Sequence, residues 1–149
     1  MRQLALYLLL LALGSAYGAA KDATVAELKA RLENARSEDR PELCMQIAQR
    51  QLRNADTLYK DGNVAEAAAA VDDIVTYSEK ARDAATQTKK HLKNVEIDVR
   101  KIAERLRDIK RTLALEDQLP VERAIRRLED IRTALLQEMF AKDRKKEKK

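Results

Sequence analysis

Beyond its first twenty residues this chain has a single glycine, Gly62. Proline occurs only as Pro41 and Pro120, tryptophan is missing, and phenylalanine, cysteine and histidine appear once each, as Phe140, Cys44 and His91. Each scarcity excludes something. So few chain breakers cannot supply the frequent tight turns of strand-rich folds. A lone Cys44 cannot close a disulfide within the chain, so the core alone must hold the fold. One histidine and one cysteine give no zinc-ligand spacing, no Glu-x-x-His pair of a bundle metal site and no haem attachment pair, and no glycine-rich turn is present to wrap a phosphate. No cofactor, metal or small-molecule substrate is expected, and the chain is read as a non-enzyme. A nucleophilic pair would have to bring Cys44 to His91.

What is abundant is Ala, Leu, Glu, Lys and Arg, the composition of long helices and coiled coils. The first twenty residues read as an export signal: Arg2, an apolar run from Leu4 to Leu13, then the small residues Gly14-Ser15-Ala16-Tyr17-Gly18-Ala19-Ala20, with cleavage after Gly18 or Ala20. The run is shorter than the roughly 20 residues a bilayer span requires, so a periplasmic or secreted protein is expected.

From residue 21 to 141 the pattern predicts an elongated all-α domain with helices over about 24–36, 40–60, 64–116 and 121–141. Three capping boxes start helices, at Thr24 with Glu27, Asp39 with Glu42 and Asn63 with Glu66, each joining a side-chain acceptor to a glutamate three residues on. Gly62 ends one helix and Pro120 another. From residue 64 a seven-residue repeat runs without Gly or Pro: Val64, Val71, Ser78, Ala85, Leu92, Val99, Leu106 and Leu113 in one series, Ala67, Ile74, Ala81, Thr88, Val95, Ile102 and Ile109 in the other. Sustained heptads predict one long helix, on the order of 75 Å, against which the flanking helices fold back as antiparallel hairpins sharing a spine. Small and polar residues near Ala84–Lys90 mark where it would bend or break.

The net charge of +5 is unevenly placed: residues 21–141 hold 23 charges of each sign, while 142–149 hold six basic and two acidic residues and read as a disordered basic tail. Within the body, residues 80–111 are basic, and Lys89, Lys90, Lys93, Arg100, Lys101, Arg107, Lys110 and Arg111 are candidate contacts to an anionic envelope surface. Acidic residues interleave at helix-pair spacing, the pattern of salt-bridged solvent faces, and with export this argues against a nucleic-acid partner. Cys44 reads as a small buried residue, an intermolecular disulfide or a reactive thiol; His91 reads as a solvated side chain or a pH sensor. The acidic group Asp56, Asp61, Asp72 and Asp73 reads as a solvated face.

The stretch Leu58-Tyr59-Lys60-Asp61-Gly62-Asn63-Val64-Ala65-Glu66-Ala67 resembles the turn of a tetratricopeptide-repeat hairpin, over roughly Cys44 to Tyr77. The resemblance implies a peptide-binding groove, although no second copy follows at the 34-residue period. Three functions are therefore carried forward: a helical scaffold or protein-binding protein of the cell envelope acting through a partner or self-association, a periplasmic holdase with basic helical arms, and a binder of anionic surfaces through residues 80–111 and the tail.

Overall fold

A computed structural model describes the backbone of residues 22–147 and the side chains of residues 22–141; the expected signal and its cleavage points lie outside the described residues. The described chain is an all-α bundle of five helices: α1 (Val25–Glu33), α2 (Arg40–Lys60), α3 (Val64–Thr88), α4 (Leu92–Thr112) and α5 (Gln118–Glu147), with a 3-10 turn at Leu115–Asp117. The capping box at Thr24 forms: the Glu27 carboxylate accepts from the Thr24 amide at 2.8 Å, and the Thr24 hydroxyl accepts from the Glu27 amide at 3.2 Å. The other two boxes do not. Asp39 sits in helical geometry, with its carboxylate taken at 3.2 Å by Arg36 Nε. At Asn63 the backbone does the work. Its amide donates to Leu58 O at 2.8 Å and that of Gly62 to Tyr59 O at 3.1 Å, a Schellman turn made possible by Gly62 at φ 78°.

The expected continuous spine is broken. Its helix over 64–116 ends at Thr88 and resumes at Leu92, with Lys89 and His91 both left-handed at φ 57° and 62°. The Thr88 hydroxyl donates to Ala84 O at 2.8 Å and accepts the Lys90 amide at 3.4 Å, satisfying backbone groups that the break releases. The chain reverses there. α4 runs alongside α2 in the same direction, since Met45 shares a recess with Val95 while Asp56 pairs with Arg105 further along at 3.1 Å. α5 then returns antiparallel to α4, with Lys110 3.5 Å from Glu122 and Arg132 2.7 Å from Glu96. It lies parallel to α3, to which the Glu79–Arg127 pair joins it, and Lys89 after α3 pairs with Glu138. The four long helices thus form an up-down-up-down bundle in which α2 and α5 take the far corners. The two hairpins were foreseen; the half-turn that stacks one on the other was not.

Burial explains why the folded-back form wins. Ile47, Val71, Ile74, Val99, Leu106, Val121, Leu128 and Leu135 are all fully excluded from water and belong to one cluster. A straight spine would leave two smaller bundles, each burying a smaller share of its apolar surface. Residues outside the two heptad series, Ala70 and Tyr77 on α3 and Ala103 on α4, are buried as well, because each helix meets more than one neighbour. Ser78 is the exception within the seam: wholly buried, its hydroxyl has no hydrogen-bond partner.

The backbone of α5 continues as helix to Glu147, into the segment expected to be a disordered tail. Propagating an anchored helix costs far less than nucleating one, so α5 can extend past its last packed turn.

Two aspartates should titrate in opposite senses. Hydrogen bonding from Lys60, with Arg105 adding to it against the effect of burial, holds Asp56 below the ordinary value of 3.8. Asp98 is pushed above it, chiefly by burial and also by Glu42, with Lys101 opposing. Asp56 therefore stabilises the fold above its unfolded pKa and loses that contribution as pH falls through its folded value. Asp98 weakens the fold above its folded pKa, and that penalty fades on acidification. Asp56→Asn is expected to lower Tm at neutral pH and Asp98→Asn to raise it, the Asp98 difference fading as pH falls toward about 4 and the Asp56 difference only below it. Thermal melts from neutral to acid pH check this; differences that persist unchanged in acid would contradict it.

Candidate functional site

α1 is short, and its seating leaves a groove open on the surface. Val25, Leu28 and Leu32 form its stripe, with Leu28 buried and the other two half-buried against the core. Lys29 Nζ reaches Asp73 Oδ2 on α3 at 3.1 Å and lies 5.2 Å from the centre of the Tyr77 ring. Burial is the largest single influence on Lys29 and works against its charge, but the hydrogen bond and charge of Asp73 together with Tyr77 outweigh it and raise the ammonium above its ordinary value. Gln51 Nε2 donates to the same Asp73 oxygen at 2.7 Å, tying α1, α2 and α3 together. At the other end of α1, Arg40 donates to Leu32 O at 3.4 Å. Before its start, Asp22 pairs with Arg50 at 3.4 Å.

Past that pair the groove between α2 and α3 is open. Gln51, Asn54, Thr57 and Leu58 form one wall and Glu66, Ala69, Ala70 and Asp73 the other, enclosing about 560 Å³. Ala69 and Ala70 keep the floor low, which permits close approach of another backbone. Glu66 has no ion pair among the described residues, so the exposed rim is acidic. The groove continues the track along which α1 already lies, and it offers Leu58, Ala69 and Ala70 as apolar contacts between polar side chains.

A smaller recess of about 310 Å³ lies between α2 and α4, lined by Glu42, Met45, His91, Asn94, Val95, Ile97 and Asp98. His91 is exposed there, while Cys44 is 2% exposed and does not line it, so the Cys–His pair is not assembled in this recess. Burial pushes the Cys44 thiol above its ordinary pKa. In this fold Cys44 is a buried free thiol, poorly placed to act as a nucleophile or to meet another chain. Among the described residues no group of three His, Cys, Asp or Glu side chains is placed to hold a metal.

The eight basic candidates are dispersed and mostly engaged. Lys89 pairs with Glu138 and Arg107 with Glu129; Lys90 meets Glu38 at 2.7 Å, Arg100 meets Glu104 at 3.2 Å, Lys110 meets Glu122 at 3.5 Å and Arg111 meets Asp108 at 3.1 Å. Only Lys93 and Lys101 of the eight have no carboxylate partner among the described residues. Exposed pairs of this kind add little stability, but they cancel the field a basic strip would project. The acidic candidates divide in the same way: Asp73 is held by Lys29 and Gln51, Asp56 by Lys60 and Arg105, and Asp61 and Asp72 are exposed. The groove was missed by sequence reasoning, since its openness depends on how far α1 reaches; the run Ala67 to Ala70 was its one visible sign. Comparison with protein families, with curated proteins and with solved structures finds no match, so the reading of this groove rests on its own geometry.

Proposed function

We propose that this chain is a non-enzymatic, exported helical binding protein of the cell envelope, and that it holds an amphipathic helix of a protein partner in the open half of the α2–α3 groove. The observation that carries the reading is α1 itself, a helix bound on one half of a groove whose other half is vacant. The partner helix fits if it presents small or aliphatic residues at three- and four-residue spacing and a basic residue toward Glu66, as Lys29 does toward Asp73. The tetratricopeptide-like turn sequence agrees with a hairpin used for recognition. The holdase reading gains no support, because α4, which would supply a basic arm, packs within the bundle.

A photo-crosslinking residue at Asn54 in living cells tests the proposal. It is expected to trap a defined protein, and Ala69→Trp, which fills the groove from an exposed position, is expected to reduce trapping by about tenfold or more while helicity and melting stay unchanged. A trapped second copy of the chain would identify the partner as self. Trapping that is indifferent to Ala69→Trp, or no trapping at all, would defeat the reading.

A further inference from the structure

The seat that holds α1 has a counterpart one heptad away, in the open half of the same groove. In the occupied seat, Asp73 and Tyr77 on α3 meet Lys29, and Arg50 on α2 meets Asp22. Seven residues nearer the Gly62 turn, the same helix faces carry Glu66 and Ala70 on α3 and Thr57 on α2. All three line the open groove, and Asp73 stands where the two halves join. A step of one heptad along a packed helix returns to nearly the same face, with a drift of only about 20°. The geometry that seats α1 is therefore presented a second time.

The differences between the two seats indicate what the open one takes. Asp73 is engaged twice, by Lys29 at 3.1 Å and by Gln51 at 2.7 Å. Glu66 is exposed and has neither a hydrogen bond nor an ion pair from its side chain among the described residues, since the cap at Asn63 does not use it. Where the Tyr77 ring lies 5.2 Å from the Lys29 ammonium, the open seat has only the methyl group of Ala70. The room left by the missing ring is bounded by Leu58 and Ala69, which suits an aliphatic side chain. A basic residue for Glu66 and an aliphatic one just before it are what α1 itself presents as Leu28-Lys29, with Val25 and Leu32 completing its stripe.

We infer that the open half of the groove is a second α1-type seat, displaced by one heptad, and that its occupant is a partner helix with an aliphatic residue followed directly by lysine. The lysine meets Glu66 and the aliphatic side chain rests over Ala69 and Ala70. This rests on the reading of the groove as a helix-binding site and adds the order and register of the residues it selects. Continuity with the α1 interface supplies the geometry, and the unanswered charge of Glu66 supplies the selectivity. A free copy of α1 satisfies the rule and is the probe.

A fluorescent peptide of residues 22–35 is titrated with the full chain, to about 1 mM because a short free helix must form as it binds, and followed by anisotropy. Saturable binding is expected, weakened about tenfold or more by Leu28→Ala in the peptide or by Ala69→Trp in the chain. Lys29→Glu in the peptide and Glu66→Lys in the chain are each expected to weaken it about fivefold, and the two combined to recover most of the loss. Circular dichroism melts of the chain variants establish that the bundle is intact, and the peptide variants probe the same contacts in the unaltered chain. No saturable binding overturns the inference. Binding indifferent to Glu66→Lys or to Ala69→Trp also overturns it, since the peptide would then be displacing α1 from Asp73, and losses that do not recover in combination overturn the register. Failure of the peptide alongside a helix trapped at Asn54 would remove the second seat and leave the groove reading in place.

Discussion

Leu106→Ala is expected to lower the unfolding free energy by about 3 kcal/mol, within the range for a large aliphatic side chain removed from a packed interior. Leu106 is fully buried on α4 and belongs to the single apolar cluster. With total stabilities of about 5–15 kcal/mol for native domains, the loss should show as a fall in Tm of about 10 °C or more. The shape of the transition is as informative as its position. In a bundle with one core, Leu106→Ala on α4 and Ile74→Ala on α3 must both shift one cooperative unfolding step. Two half-bundles on a common rod would instead each lose stability alone, and the melts would separate into two phases.

The second large effect concerns the reversal at Lys89-Lys90-His91. Left-handed geometry costs a residue with a side chain roughly 1–2 kcal/mol, and Lys89 and His91 both adopt it. Their replacement together with Lys90 by alanine, the best helix former, is expected to favour continuation of α3 into α4. The heptad phase allows this, since Ala85 and Leu92 are seven apart on opposite sides of the break. A chain straightened in this way cannot stack its own hairpins, but two such chains can exchange them. The triple alanine variant is therefore expected to form an exchanged dimer by light scattering at concentrations where the parent does not. Lys89→Gly with His91→Gly, which removes the strain while keeping the turn, is expected to leave the mass unchanged and to add about 1 kcal/mol of stability. A triple variant with the parent's mass and melt would show that the turn stores no such tendency.

That same continuity of phase explains what was and was not legible in the sequence. Thr24 with Glu27 and Gly62 mark real boundaries because each acts through its own local chemistry. The helix expected to end at Pro120, by contrast, stops at Thr112, and Pro120 lies in the first turn of α5. The break at Lys89–His91 was marked only by the small and polar seam residues before it, which locate a weak stretch without specifying a reversal. It uses residues that are not turn formers, and the apolar series resumes in register after it, so periodicity alone reads straight through. Its cause is tertiary: burial of four helices around one core outweighs two strained residues. The boxes at Asp39 and Asn63 failed for a local reason that residue type does not show, since Arg36 and the Gly62 turn supply other partners. The pairing of the basic strip has a distant cause. Glu38, Glu122, Glu129 and Glu138, which neutralise it, come from the loop before α2 and from α5, and only the folded chain brings them near.

The reversal between α3 and α4 can be measured directly as a distance between spin labels at Ala65→Cys and Arg111→Cys, in a chain carrying Cys44→Ala. Both positions are exposed. Adjacent or diagonal helices of one bundle place these labels within about 30 Å, given interaxial spacings near 10 Å and label arms of similar reach. A continuous helix would hold them about 69 Å apart at 1.5 Å per residue. A single population at the short distance is the predicted result; a population near the long one, in a monomeric sample, would contradict the fold and the groove built on it.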